Sequence, residues 1–162
     1  MNKLIETIDL TKVYGEKETS VTALNSITTA FNENQFTAIM GPSGSGKSTL
    51  LHCLAGLDKV TSGSILINGI DLASLNDKEL TKMRRDSFGF VFQAFNLIPT
   101  LTAEENITLP SSIAGRKPED EWVEQVINAM DIGDRLGHRP NELSGGQQQR
   151  VAAARAMASK PE

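Results

Sequence analysis

The stretch Gly41-Pro42-Ser43-Gly44-Ser45-Gly46-Lys47-Ser48 restricts the possible folds more than any other part of the chain. It satisfies the pattern G-x-x-x-x-G-K-[ST], in which glycines let successive backbone N–H groups turn toward one anion while a lysine and a hydroxyl reach the same point. Such a loop works between two particular elements. The short apolar run Phe36-Thr37-Ala38-Ile39-Met40 before it reads as a buried strand. After it, Leu50, Leu51, Leu54 and Ala55 recur at helical spacing, with Gly56 placed to end the helix. A helix N-terminus behind the loop adds a partial positive charge. The competing reading is a glycine-rich surface turn, but four fixed positions match by chance in only about 1 in 200 chains of this length, before the flanking elements are counted. Gly41, Pro42, Ser43, Gly44, Ser45, Gly46, Lys47, Ser48 and Thr49 are therefore the candidate phosphate contacts, with Lys47 bridging β- and γ-phosphates and Ser48 ligating Mg2+.

With 162 residues, 39% of them apolar and 22% charged, the chain is large enough for one domain with a packed core. A net charge of -4 gives no general attraction to nucleic acid or anionic lipid. Nucleic acid is thus excluded as a partner, and membrane association has to run through another protein. The single cysteine, Cys53, cannot form an internal disulfide and reads as a small buried apolar residue on a helix. His52 and His138 have no neighbours at a metal or triad spacing and read as structural. The N-terminus meets charge at once, without the apolar core of a signal peptide, and no apolar run approaches the ~18 residues of a membrane span. A cytoplasmic chain is expected.

Loose alternation through Leu4–Leu10 and Val21–Phe31, with Gly15-Glu16-Lys17-Glu18 between them, predicts an antiparallel layer. Ser64-Ile65-Leu66-Ile67 followed by Asn68-Gly69 predicts a hairpin returning through Ile70-Asp71-Leu72. Asn76 or Asp77 is placed to cap a helix running through Arg85, and Phe88-Gly89-Phe90-Val91-Phe92 reads as a second buried strand. Beyond Gln93 the pattern turns helical. Thr102 with Glu105 forms a capping box, and Trp122, Val123, Val126, Ile127 and Met130 form one apolar stripe. Ser144 with Gln147 forms another capping box, opening a helix through Ala158.

That last helix begins at Leu143-Ser144-Gly145-Gly146-Gln147, followed by Gln148-Gln149-Arg150. A serine and two glycines at a helix start can present donors to a second anion, although alone they could serve only as a cap. Together with the phosphate loop, the pattern resembles the ABC transporter ATPases, and the resemblance covers the whole chain. It is most similar to the subfamily serving lipoprotein release and macrolide export. The stretches carrying it are Ile39 to Leu51, Gly89-Phe90-Val91-Phe92-Gln93-Ala94-Phe95-Asn96-Leu97-Ile98-Pro99, and Glu142 to Ala152.

The resemblance implies an α/β P-loop NTPase of the ABC-ATPase type, with a parallel core sheet, an antiparallel β layer and an inserted helical subdomain. A single ATP-binding domain would comprise an α/β part over 1–92, a helical subdomain over 94–143 and a signature helix over 144–158. Two ATPase subunits would pair head to tail, each ATP lying between one phosphate loop and the other subunit's Ser144, Gly145, Gly146 and Gln147. Gln93 matches the glutamine that touches Mg2+ or the attacking water. Lys47 and Gln93 are then the catalytic candidates, and Ser48 and Gln93 the metal ligands. Tyr14 occupies the place where the family stacks an aromatic ring on adenine. From the residues alone, Tyr14 packs equally well on the strand layer, and Gln93 reads as a solvated loop amide. An integral-membrane permease would dock over the Gln93 loop and the helical insertion, holding the subunit peripherally on the inner face of the membrane.

One departure limits the inferred chemistry. Family members continue past the position of Glu162 into an apolar strand ending in Asp-Glu, a dimer loop and a switch histidine, none of which lies within 1–162. The core is then expected to be incomplete at the C-terminus, and the chain to bind ATP without hydrolysing it. Asp71 follows a hairpin rather than a buried strand and is rejected as a substitute. Two other classes remain open: a small phosphoryl-transfer kinase, which usually carries its phosphate loop nearer the N-terminus, and a non-hydrolysing nucleotide-binding module.

Overall fold

Alternation of side chains becomes an antiparallel sheet in the first of two units into which the chain divides, up to Thr81 and from Lys82. The computed structural model describes residues 3–161. In the first unit β1 (Lys3–Tyr14) pairs with β2 (Val21–Asn32) on one edge and with β3 (Ser62–Ile67) on the other, and β3 continues into β4 (Ile70–Asp71). The order is β2-β1-β3-β4, with every pair antiparallel. Asn68 and Gly69 have φ of 49° and 79°, the two left-handed residues that let a tight hairpin follow the strand twist.

β1 is bulged. Its register slips between Thr7 and Leu10, where Asp9 sits at φ 47°. The extra residue places Thr7 and Leu10, three apart, both at 0% exposure, which strict alternation would forbid. The Asp9 carboxylate closes the bulge by accepting from Ser26 Oγ (3.0 Å) and Thr28 Oγ1 (3.4 Å). Across on β3, Gly63 has φ +84° and lies so near the Asp9 carbonyl that a Cβ would overlap it. Burying Leu10 contributes about 1.5–3 kcal/mol.

Helix α1 (Lys47–Leu54) follows the glycine loop, as its spacing predicts, and buries Cys53 and Leu54. Gly56, at φ 63°, follows its end. Helix α2 (Asp77–Ser87) carries the chain from the first unit to the second; Asn76 Oδ1 accepts from the Lys78 and Glu79 amides at 3.0 Å each, so Asn76 is its cap.

The second unit is helical. Helices α3 (Ala103–Ile113), α4 (Asp120–Ala129) and α5 (Gly145–Ala158) enclose a core that includes Ile107, Val123, Val126, Ile132, Leu143, Val151 and Ala154. Small residues on α5 let it approach α3 closely. The apolar stripe of α4 faces this core, and Trp122 satisfies its indole by donating from Nε1 to the Met157 carbonyl at 2.8 Å. Both expected capping boxes form, on Thr102 with Glu105 and on Ser144 with Gln147. Among the described residues no helix is long and apolar enough to cross a membrane.

Two expected strands are absent. Neither 36–40 nor 88–92 is paired with another strand, and no parallel sheet forms among the described residues. The physical reason is that a strand exists only through its ladder: an extended segment needs a neighbour about 4.8 Å away to satisfy its backbone groups. Without one, the apolar residues read as core stay in solvent, with Phe36 99% and Met40 87% exposed.

Candidate functional site

The phosphate loop folds back on itself. Gly44 and Gly46 have φ of 79° and 86°, and Gly46 caps α1 with its backbone against β2. A Cβ on Gly46 would overlap the Ala23 carbonyl and press on Leu24 Cδ2 at 3.1 Å, so conformation and space both demand glycine there. Ser45 N donates to the Pro42 carbonyl at 3.3 Å, closing the turn. The Lys47 ammonium donates to the same carbonyl at 2.7 Å and lies 3.4 Å from Ser45 Oγ. Both acceptors are neutral. Among the described residues, the ion pairs of this structure do not include Lys47. A cation held over a helix N-terminus by uncharged acceptors suits a polyphosphate, which would offer it a stronger partner. Ser48, the second residue of α1, follows Lys47 and is exposed.

Tyr14 ends β1 and is 41% exposed. Its hydroxyl donates to Asp58 Oδ2, and Lys12 Nζ donates to Asp58 Oδ1 and to the Lys59 carbonyl, each at 2.6 Å. Lys12 is only 8% exposed, and its ammonium stands 4.6 Å from the centre of the Tyr14 ring. The hydrogen bond from Lys12, then that from Tyr14, holds the Asp58 carboxyl below the usual carboxylate range. The same contacts push the Lys12 ammonium and the Tyr14 phenol up, while a hydrogen bond with the Thr49 side chain pulls Tyr14 the other way. Neither Lys12 nor Asp58 carries a signal in the sequence, because they stand 46 positions apart and only the fold brings them together.

Gln93, Ser144, Gly145, Gly146 and Gln147 lie in the second unit, the phosphate loop and Tyr14 in the first. Gln93 is exposed in a turn that continues through Phe95 and Asn96, both left-handed at φ 59° and 47°. Arg155 on α5 holds that turn, donating to the Asn96 carbonyl at 2.7 Å and to the Phe95 carbonyl at 2.6 Å. Asn106, at 0% exposure, fixes the chain that follows: its Oδ1 accepts from Ile98 N at 2.7 Å, and its Nδ2 donates to the carbonyls of Ile98, Leu101 and Thr102.

In the second glycine motif, Ser144 Oγ accepts from Gln147 N at 3.3 Å and Gln147 Oε1 accepts from Ser144 N at 2.8 Å. Gln148 Nε2 braces the approach by donating to the Pro140 and Leu143 carbonyls. Ser144, Gly145 and Gly146 are exposed, and a Cβ on either glycine would meet nothing within 4 Å. The fold of this chain does not require glycine at those positions. Asp71 is engaged locally, its Oδ1 accepting from Ala73 N at 2.9 Å.

A model of the ABC transporter family matches residues 24–162. The chain belongs to the ABC transporter ATPase family. A macrolide export ATP-binding/permease protein MacB of Marinobacter nauticus is 47% identical over 95% of this chain and 24% of its own length. A lipoprotein-releasing system ATP-binding protein LolD of Geobacter metallireducens is 45% identical over 99% of this chain and 72% of its own length. The fold is that of an ABC cassette: the dimeric structure of the cassette MJ0796 of Methanocaldococcus jannaschii superposes with a TM-score of 0.89, at 45% identity over 97% of this chain and 70% of that one. The chain therefore spans about a quarter of the MacB relative and under three quarters of the other two.

Proposed function

We propose that this chain is the nucleotide-binding part of an ABC transporter ATPase subunit of the type serving lipoprotein release or macrolide export. The observation carrying this reading is Lys47, an ammonium held by neutral acceptors within a glycine loop at the start of α1. Backbone groups of Gly41 to Thr49, with Lys47, would bind the triphosphate, and Tyr14 would stack on the base. Ser48 and Gln93 would hold Mg2+, which supplies charge neutralisation at the β- and γ-phosphates. The solved dimer of MJ0796, and a second structure of it bound to ADP and Pi, support nucleotide as the ligand and a second subunit as the partner.

In this reading Ser144, Gly145, Gly146 and Gln147 face the nucleotide of the other subunit. The open space around both glycines suits close approach from outside. The helical subdomain over 94–143 and the Gln93 loop would meet an integral-membrane permease, which places the subunit peripherally on the inner face of the membrane. Among the described residues no carboxylate pair stands at the end of a core strand, and in this reading they bind ATP without turning it over. General-base or water-orienting help is worth about 10²–10⁴-fold, and this reading assigns it to none of the described residues.

A phosphate-release assay tests the reading. The purified chain is expected to release no phosphate above background. Mg-dependent turnover abolished by Lys47→Ala would overturn the claim that 1–162 lacks a water-orienting carboxylate. Sedimentation with ATP then tests the trans role, since Ser144→Arg should spare nucleotide binding but abolish any nucleotide-induced dimer.

A further inference from the structure

The base-binding end of the site rests on more than one aromatic ring. An exposed tyrosine at a strand end ordinarily turns freely about its side-chain torsions, and fixing it on a ligand costs entropy. Here that freedom is already removed. The Tyr14 hydroxyl is tied to Asp58 Oδ2, and Asp58 is tied through its other oxygen to Lys12, whose own ammonium also holds the Lys59 carbonyl. The Lys12 ammonium stands 4.6 Å from the ring centre, so one face of the ring carries a cation. A cation on that face draws on the ring's electron density and leaves the opposite face as the surface for an electron-rich base. Lys12 is nearly buried, which fixes the ammonium in place.

We infer that Lys12 and Asp58 are positioning residues for nucleotide binding: they lock Tyr14 as a one-faced platform, so that a purine base stacks on the face away from Lys12 without first ordering the ring. This rests on the reading of Tyr14 as the base-stacking residue. Neither residue touches the nucleotide, and their effect passes through the ring. Their loss should therefore weaken ligands that carry a base and leave those that lack one alone.

The experiment is calorimetric titration of the 162-residue chain and its Asp58→Ala, Tyr14→Phe and Tyr14→Ala variants with Mg-ATP and, separately, with Mg-tripolyphosphate, which has no base. Asp58→Ala and Tyr14→Phe are each expected to weaken Mg-ATP about threefold to tenfold, the scale of one lost hydrogen bond, and to leave tripolyphosphate within about twofold. Tyr14→Ala should weaken ATP more than either. The Tyr14→Phe variant keeps the Lys12–Asp58 ion pair and the ring but also loses the hydroxyl's contact with the Thr49 side chain, whereas Asp58→Ala keeps that hydroxyl. The anchor is therefore read from the loss the two variants share. If ATP affinity in Asp58→Ala and Tyr14→Phe equals that of the unaltered chain while Tyr14→Ala is weakened, the anchoring role is wrong and the stacking role stands. If Tyr14→Ala also binds ATP unchanged, the stacking role falls with it. A parallel loss of tripolyphosphate in Asp58→Ala and Tyr14→Phe would place their effect on the phosphate loop or the fold, and would overturn the inference.

Discussion

Arg155, on the helix that begins at the second glycine motif, grips the Phe95 and Asn96 carbonyls with separate guanidinium nitrogens, 60 and 59 residues away in sequence. Both acceptors belong to left-handed residues just beyond Gln93. A planar fork can span two such carbonyls, whereas an ammonium presents a single point charge.

Arg155→Ala should therefore loosen the turn that carries Gln93. The expected cost is about 1.5–3 kcal/mol, the range for hydrogen bonds to a charged group. Hydrogen exchange across 93–97 is the measurement, with faster exchange in Arg155→Ala and partial protection in Arg155→Lys. Unchanged exchange in that segment would show that the turn holds itself.

The cluster of Lys12, Tyr14 and Asp58 makes stability depend on pH at both ends. Asp58 is lowered in the folded chain, first by Lys12 and then by Tyr14, so its contribution is present above the unfolded value near ~4 and is lost as pH falls through the folded value. Lys12 and Tyr14 are raised, so their contributions are present below about 10 and are lost as pH rises through the folded values. Denaturation midpoints of the unaltered chain and Asp58→Asn should differ most between these limits and converge at both extremes. A difference that stays constant from pH 3 to 7 would contradict the assignment.

The two glycine motifs should respond oppositely to a methyl group. Gly46→Ala forces φ near +86° on a residue with a Cβ and drives that Cβ into the Ala23 carbonyl, costing about 1–2 kcal/mol for the conformation alone. Gly146→Ala adds a methyl in open space on a helix and should leave stability unchanged or slightly raised. Thermal midpoints of the two variants decide this, and equal destabilisation would mean that Gly146 has an internal role.

Local chemistry was legible in the sequence wherever one short segment satisfies itself. Thr102 with Glu105, Ser144 with Gln147 and Asn68 with Gly69 are all contacts within three residues, and each forms where its spacing places it. The apolar runs at 36–40 and 88–92 misled because hydrophobicity marks a preference for burial, while a strand also needs a partner's backbone. Lys12, Asp58, Asn106 and Arg155 left no local trace. Their partners are backbone groups, or side chains fixed by tertiary contact, and Asn106 in the sequence is merely a polar residue on a helical segment.

The direct test of nucleotide binding is titration of the 162-residue chain with Mg-ATP beside Lys47→Ala. Lys47 is the only side-chain cation the glycine loop carries, so its loss should cost about 2–4 kcal/mol, or roughly 30-fold to 1,000-fold in affinity. Saturable binding of Mg-ATP by the unaltered chain, weakened to that degree in Lys47→Ala, is the predicted result. Equal affinity in the two proteins would contradict the assignment of Gly41 to Ser48 as the phosphate site.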